Sequence, residues 1–275
     1  MNMKKTLTAI ALGFGILAGA GNAQAAGSGP KPPTVDWSFN GIFGTYDRAA
    51  LQRGFQVFRN VCAACHSLDL VAFRNLEAIG YSEDEVKAIA SSYEVQDGPD
   101  DSGEMFSRPA TPADHWPSPF PNAKAAAAAN GGAAPPDLSL ITKARGAGGD
   151  SALRVSLFHP GGFPLGADYL HALLTGYKET PPEGFDLPAG KYYNEYFPGH
   201  AISMAPPLGE GIVEYEDGTA ATPEQMSTDV TTFLAWAAEP ELEHRKNLWI
   251  KVILFLLVLT AMLYALKRKI WSDVH

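Results

Sequence analysis

A long apolar segment near the C-terminus, residues 248–266, constrains the fold more than any other feature of the sequence. Its nineteen residues hold one charged side chain, Lys251, which lies one turn from the start and can extend to an interface. At a helical rise of ~1.5 Å per residue the segment spans ~28 Å, close to the hydrocarbon thickness of a bilayer. Trp249 and Trp271 suit the two interfaces. A buried core helix is rarely apolar on every face over this length, so the sequence predicts a membrane-spanning helix.

The N-terminus carries a second, shorter apolar segment. Lys4 and Lys5 precede an uncharged run over residues 6–21, and Ala23-Gln24-Ala25 follows it. A positive start, an apolar middle and an A-x-A site are typical of a secretory signal peptide, which we predict over residues 1–25. A buried helix and an uncleaved anchor are the alternatives.

These two segments predict the topology of the chain. A signal peptide exports everything up to the apolar helix, and the basic residues 267–269 should remain in the cytoplasm. We therefore expect a soluble domain over residues 26–243, an anchor in the membrane lipid over 248–266 and a cytoplasmic tail over 267–275.

The charge of the chain limits its partners. It has 21 Lys and Arg against 30 Asp and Glu, a net charge of −9, which becomes −11 once Lys4 and Lys5 leave with the leader. Nucleic acid is excluded as a partner, because phosphates require a basic surface. A basic protein is favoured instead. Acidic runs that could bind such a protein lie at residues 83–85, 97–104 and 214–217.

The two cysteines of the chain stand in one motif, Cys62-Ala-Ala-Cys65-His66. This spacing is the pattern of c-type haem attachment, in which each thiol forms a thioether with a haem vinyl group and the adjacent imidazole binds the iron. A thioredoxin-like pair, half a zinc site and chance are the alternatives. No βαβ pattern surrounds the motif and no second ligand pair follows it, so we predict one covalent haem c with His66 as an axial ligand.

Met204 is the best candidate for the sixth iron ligand. It precedes Pro206 and Pro207, which stiffen the loop, and its soft sulfur favours ferrous iron. His200 is the main competing ligand, and Met105 and Met226 are weaker rivals. The other histidines are His115, His159, His171, His244 and His275.

Helical periodicity and capping residues predict the main elements. The first helix and the haem attachment cover residues 47–66, and Ser82 with Glu85 begins a second helix through a capping box. A short alanine-rich helix is predicted over 124–130. Thr222 and Gln225 predict another capping box, with Pro223 at the first position of a helix that ends near Ala238 before Pro240.

The first and last helices of the domain are expected to cross. Gly54 would let the backbones approach, with Phe58 against Phe233 or Leu234. The segments 97–124 and 178–220 are predicted to be mostly loop, with a possible hairpin over 212–219.

Taken together, these residues resemble the cytochrome c1 family, the haem subunits of the ubiquinol–cytochrome c reductase complex. The haem motif is shared by c-type cytochromes in general, whereas Met204-Ala-Pro-Pro and Trp236-Ala-Ala-Glu-Pro before a terminal anchor are specific. The segments that carry the resemblance are Val61–Ser67, Glu94–Pro99, Gly103–Pro109, Pro135–Leu138, Leu174–Tyr177, Tyr193–Pro198, Met204–Pro207, Glu216–Thr219 and Phe233–Pro240. The resemblance implies a mostly α, cytochrome c-like haem domain with long loop insertions and one C-terminal transmembrane helix.

The resemblance also implies a set of site residues. Cys62 and Cys65 would carry the thioether links, and His66 and Met204 would be the axial ligands. Arg145 would reach a haem propionate, with Asn130 nearby; an exposed loop arginine is the alternative. Residues 151–168 look like an insertion, which leaves open whether Tyr169 packs near the haem edge.

The function that the resemblance implies is electron transfer, from a Rieske iron–sulfur protein to a soluble basic cytochrome c, beside cytochrome b. The chain would be no enzyme on its own. The haem domain would lie in the periplasm, anchored in a bacterial inner membrane. A free-standing tethered cytochrome c that serves an oxidase is the alternative, and a haem enzyme or gas sensor with an open iron site is a third possibility.

Overall fold

The structure, a computed structural model, describes residues 30–145 and 165–272. The predicted leader over 1–25, most of the predicted insertion over 151–168, His159 and His275 lie outside the described residues. Within them helices dominate and strands are few, and one long apolar helix stands at the C-terminal end. The predicted fold class, mostly α with one such helix, is confirmed.

Seven α-helices and two short antiparallel strand pairs make up the described part of the chain. The helices are α1 (Arg48–Asn60), α2 (Glu83–Ser91), α3 (Ala123–Ala129), α4 (Ile141–Ala144), α5 (Leu165–Thr175), α6 (Pro223–Ala238) and α7 (Leu242–Ile270). The strands are β1 (Glu94–Asp97) with β2 (Phe106–Pro109), and β3 (Tyr192–Tyr193) with β4 (Ala201–Ile202). Two 3-10 helices cover Cys62–Ala64 and Phe73–Ile79.

Helix α1 begins at a well-formed cap. The Asp47 carboxylate accepts hydrogen bonds from the backbone N–H groups of Ala49 and Ala50 at 2.9 and 3.3 Å. The helix ends at Asn60 and the Cys62–Ala64 turn follows it directly, both within the predicted segment 47–66. The haem motif is therefore attached to a buried helix.

Helix α6 begins where the sequence predicts, although its cap is only half of the expected box. The Thr222 hydroxyl accepts from the backbone N–H of Gln225 at 3.2 Å. The Gln225 amide does not return to Thr222; it donates to the buried Asp229 carboxylate at 3.1 Å. In α2 the box is complete, since Ser82 and Glu85 bond to each other in both directions.

Helices α1 and α6 cross at Gly54, as predicted. A Cβ atom at Gly54 would lie 2.0 Å from the backbone oxygen of Asp229, so only glycine allows this approach. The rings of Phe55 and Phe58 each lie 5.6 Å from the ring of Phe233, between centroids. The predicted Phe58–Phe233 contact is confirmed.

A buried ion pair joins the same two helices. Arg53 Nε and Nη2 donate to the two oxygens of Asp229 at 2.9 and 3.0 Å, while Nη1 donates to Asp217 at 2.8 Å. The Asp229 side chain is fully buried, and its hydrogen bonds with the guanidinium raise the pKa of Arg53 above its usual range. Removing one partner would leave the other as an uncompensated buried charge.

The segment predicted to be loop over residues 97–124 contains more structure than expected. Strands β1 and β2 pair Glu94 with Pro109 and Asp97 with Phe106, and Arg108 binds the carboxylates of Asp97 and Asp114. Trp116 then enters the core, where its ring lies 4.7 to 5.6 Å, between centroids, from the rings of Tyr93, Phe73, Phe58 and Phe55.

The prediction of a possible hairpin over residues 212–219 is wrong. No strand forms there, because side-chain contacts with α1 hold the segment instead of cross-strand pairing. Gln56 Nε2 donates to the Glu214 backbone oxygen at 2.7 Å, and the Arg53 guanidinium lies over the Tyr215 ring. Helix α5, which was not predicted, packs against α6 and is bound to it by Ser227 Oγ donating to the His171 backbone oxygen at 3.2 Å.

Helix α7 follows a short break at Pro240 and runs for 29 residues. It is the one helix of the described part that is long and apolar enough to span a membrane, and none of its most apolar stretch is buried in the protein. Within residues 30–145 and 165–272, α7 therefore fits a single membrane span. The helix extends beyond the predicted 248–266 at both ends.

We expect Gly54→Ala to lower the free energy of unfolding by about 2–3 kcal/mol, because the new methyl group would overlap the Asp229 backbone oxygen. Alanine otherwise favours a helix over glycine by about 1 kcal/mol, so a loss would be specific to the crossing. Urea unfolding of the detergent-solubilised protein, followed by circular dichroism, measures the change. Arg59→Ala, an exposed change in the same helix, should alter stability by less than about 0.5 kcal/mol. Equal stability of Gly54→Ala and the parent chain would contradict the crossing.

Candidate functional site

The two cysteines lie at the end of α1 as free thiols. Cys62 is half-buried and Cys65 is exposed. The backbone N–H groups of Cys65 and His66 both donate to the Cys62 backbone oxygen, at 3.0 and 2.9 Å, which holds the motif in a tight turn. Burial raises the pKa of the Cys62 thiol to about 12. Two unpaired thiols in a fixed turn fit the attachment of a haem through thioether bonds.

The His66 imidazole is oriented by a backbone oxygen. Its Nδ1 lies 2.8 Å from the oxygen of Pro136. A carbonyl can only accept, so Nδ1 carries the proton and Nε2 keeps its lone pair for a metal. Burial lowers the pKa of His66, which also favours the neutral ring that binds iron.

The segment that accepts this hydrogen bond is itself tightly held. Asp137 Oδ2 accepts from Ser67 Oγ and from the backbone N–H of Asp69, both at 2.8 Å. The backbone N–H of Leu138 donates to the Ser67 oxygen at 2.9 Å. The imidazole thus rests against a segment that is bonded to Ser67 and Asp69, just after His66 in the chain.

Met204 lies two residues after β4 and is half-buried. Its backbone oxygen accepts a hydrogen bond from Tyr177 Oη at 3.1 Å. The preceding residue, Ser203, is bound through its hydroxyl to Lys191 Nζ. The backbone of the predicted ligand is therefore fixed from two sides before the two prolines begin.

Asn194 organises the segment that carries Met204, and the sequence analysis did not single it out. Its side chain is fully buried: Nδ2 donates to the Leu173 oxygen at 2.7 Å, and Oδ1 accepts from the backbone N–H groups of Tyr196 and Phe197. These bonds join the β3–β4 pair to the end of α5. The only sequence cue was that Asn194 and Tyr177 both stand in segments that carry the family resemblance.

The rival ligands have other surroundings. The His200 ring stacks on Tyr193 with centroids 5.6 Å apart, and its Nδ1 lies 3.2 Å from the Asn194 oxygen. Met226 is fully buried in the hydrophobic core, and Met105 is 59% exposed. Met204 is the one of these candidates that combines partial burial with a backbone hydrogen bond from a neighbouring tyrosine.

Arg145 and Asn130 differ in how they fit the predicted site. Arg145 is exposed at the end of α4, and its positive charge opposes the burial that raises the pKa of Tyr169. Burial and, to a smaller extent, the charge of Tyr169 raise the pKa of Tyr177, whose hydroxyl donates to the Met204 backbone oxygen. Asn130 instead uses its side-chain amide to donate to the Ala126 oxygen at 2.8 Å and end α3.

Comparison with known proteins gives a consistent result. The model of the Cytochrome C1 family matches residues 37–274. The chain is 52% identical to "Cytochrome c1" of Rhodospirillum rubrum, over 99% of this chain and 98% of the relative. It is 46% identical to "Cytochrome c1, heme protein, mitochondrial" of Saccharomyces cerevisiae, over 91% of this chain and 75% of the relative.

A third relative is longer. The chain is 51% identical to "Cytochrome b/c1" of Bradyrhizobium diazoefficiens over 97% of its own length, and it spans 39% of that protein. The resemblance drawn from the sequence motifs is confirmed. The chain belongs to the cytochrome c1 family, whose members are electron-transfer proteins with a covalently bound haem c and are not enzymes on their own.

Proposed function

We propose that this chain accepts one electron from a reduced Rieske iron–sulfur protein and passes it to an oxidised, soluble, basic cytochrome c, with no transfer of atoms. The observation that carries the proposal is the His66 imidazole, whose Nδ1 is fixed by the Pro136 oxygen directly after the turn that holds Cys62 and Cys65. Bound haem c supplies the one-electron couple of its iron.

The chain's own residues hold and orient the group. We propose that Cys62 and Cys65 form the thioether links and that His66 and Met204 are the two axial ligands. The bonds from Pro136 and Tyr177 support this assignment, because each fixes one of those ligand residues. As the resemblance implies, we also propose that Arg145 reaches a haem propionate with Asn130 nearby; the exposure of Arg145 suits a charged partner.

Cytochrome b is the proposed neighbour in the membrane. The name of the Bradyrhizobium relative joins b and c1 in one chain, and the part matched here accounts for 39% of it. The apolar side chains of α7 are exposed along its length, so they are available to lipid and to other membrane helices.

The proposed topology follows from the ends of the chain. Residues 1–25 would be a removed signal peptide, the haem domain over 26–243 would lie in the periplasm of a bacterial inner membrane, and 267–275 would remain in the cytoplasm. Lys267, Arg268 and Lys269 in the last turn of α7 support this orientation.

The acidic surface supports a basic electron acceptor, although part of its charge has local partners. Glu85 caps α2, Asp97 pairs with Arg108, and Asp217 pairs with Arg53. Such contacts leave the net charge of the chain unchanged, at −9 for the full sequence and −11 once residues 1–25 are removed. A net negative chain speeds its encounter with a basic carrier.

We expect Met204→Leu to lower the reduction potential on the order of 0.2 V, within the roughly 0.8 V range that axial ligands cover. The reason is the loss of a soft sulfur that stabilises ferrous iron. Redox titration of the purified protein, followed by its visible spectrum, measures the shift. Met105→Leu is the matched control, since Met105 is exposed, and should leave the potential unchanged. A Met204→Leu protein with the parent's potential and spectrum would exclude Met204 as a ligand.

The rate of electron transfer to a basic soluble cytochrome c should fall as ionic strength rises, because salt screens the attraction between the two proteins. Stopped-flow mixing of the reduced protein with the carrier over a range of salt concentrations measures it. An uncharged small oxidant serves as the control and should show little dependence on salt. If the rate of electron transfer to the carrier depended equally little on salt, that result would argue against electrostatic docking.

Purification in mild detergent tests membership of a complex. We expect the chain to copurify with cytochrome b and a Rieske iron–sulfur protein, identified by spectra and peptide mass. A chain that purifies with neither, under conditions that preserve other membrane complexes, would favour the free-standing tethered cytochrome.

A further inference from the structure

Phe43 is the most exposed large apolar side chain in the described part of the chain. Phe43 is 81% exposed and its neighbour Ile42 is 57% exposed, in the loop that leads to α1. Elsewhere in this loop the aromatic residues are buried: Trp37 and Phe39 stack on each other in the core. The chain therefore turns from the core to the surface at this point and presents two apolar residues there.

The loop is fixed to the beginning of α7. Lys246 Nζ donates to the backbone oxygens of Phe39 and Gly44, at 2.7 and 2.9 Å, on either side of the exposed pair. A Cβ atom at Gly44 would lie 1.8 Å from the Asn40 oxygen, so the loop closes on itself in a tight turn. The two apolar residues are thus held at the tip of an ordered turn.

Further bonds attach the end of the loop to the same turn of α7. The backbone N–H of Tyr46 donates to Glu243 Oε1 at 2.9 Å, and Arg48 pairs with Glu243 at 2.8 Å. These contacts join the loop to the helix on both sides of the exposed pair Ile42 and Phe43. The backbone on both sides of Ile42 and Phe43 is therefore bonded to the beginning of α7.

The attachment lies close to the level at which α7 becomes fully apolar. At a rise of ~1.5 Å per residue, Lys246 stands about 3 Å along the helix axis from Leu248 and about 5 Å from Trp249. Both of those residues are exposed, and Trp is typical of the membrane interface. An aromatic side chain held at this level is within reach of the boundary between headgroups and acyl chains.

We propose that Ile42 and Phe43 insert into the membrane interface beside α7 and form a second contact between the haem domain and the bilayer. Lipid is the occupant that the structure favours, because the loop is bonded to α7 at Lys246, two residues before its exposed apolar stretch begins at Leu248. A second contact beside a single helix fixes the tilt of the domain on the membrane. The inference rests on the proposal that α7 spans the bilayer near residue 248.

A nitroxide spin label at position 43 tests the proposal. The full-length Phe43→Cys holoprotein is labelled and placed in nanodiscs of phosphatidylcholine and phosphatidylglycerol. The native cysteines do not react, because the haem occupies both thiols. Relaxation by oxygen, which concentrates in lipid, is compared with relaxation by a water-soluble nickel chelate. Met105→Cys is the control for an exposed apolar site on the β1–β2 hairpin, and Val258→Cys reports the middle of α7.

We expect oxygen to relax the label at position 43 more strongly than nickel does, with the reverse order at position 105. The inference would be overturned if nickel relaxed the label at 43 as strongly as the label at 105, while oxygen relaxed the label at 258. That result would leave the membrane anchor intact. Stronger relaxation of the label at 258 by nickel than by oxygen would instead contradict the membrane anchor itself. If the label at 43 is aqueous in nanodiscs but shielded from both reagents in the purified complex, the patch binds a protein and the lipid proposal is wrong.

Discussion

The contact of α1 with α6 at Gly54 is the constraint on which the rest of the domain depends. The backbones approach so closely that a single methyl group would overlap the Asp229 oxygen. The same residue, Asp229, receives both arms of the Arg53 guanidinium inside the protein. Because α1 ends directly at the cysteine motif, the position of this crossing also determines where that motif lies.

Local signals in the sequence predicted where several helices begin. Ser82 and Thr222 cap the helices that they were expected to begin, and Gly54 marks the crossing, because such features depend on residues a few positions apart. The two thiols and His66 share one turn because they, too, lie a few positions apart in the sequence. The anchor was evident from length and composition alone, although its helix begins earlier, at Leu242.

Features that depend on distant partners were missed. Strands β1 and β2 are short and irregular in sequence, and ion pairs from Arg108 help to hold them. The hairpin expected near Tyr215 does not form, since that segment packs on α1 instead. The Pro136 oxygen that orients His66 is 70 residues away in the chain, and no spacing rule could have identified it.

The joint between the haem domain and its anchor is short and heavily bonded. Only residues 239–241 separate α6 from α7, and the Glu239 side chain binds both Lys143 of α4 and Arg245 of α7. Tyr46 Oη also donates to the Glu239 backbone oxygen at 3.2 Å. The haem domain and the first turns of α7 are therefore joined by a short, bonded segment and not by a long flexible tether. Under the proposed function, the movement that brings redox partners together would fall to those partners and not to this domain.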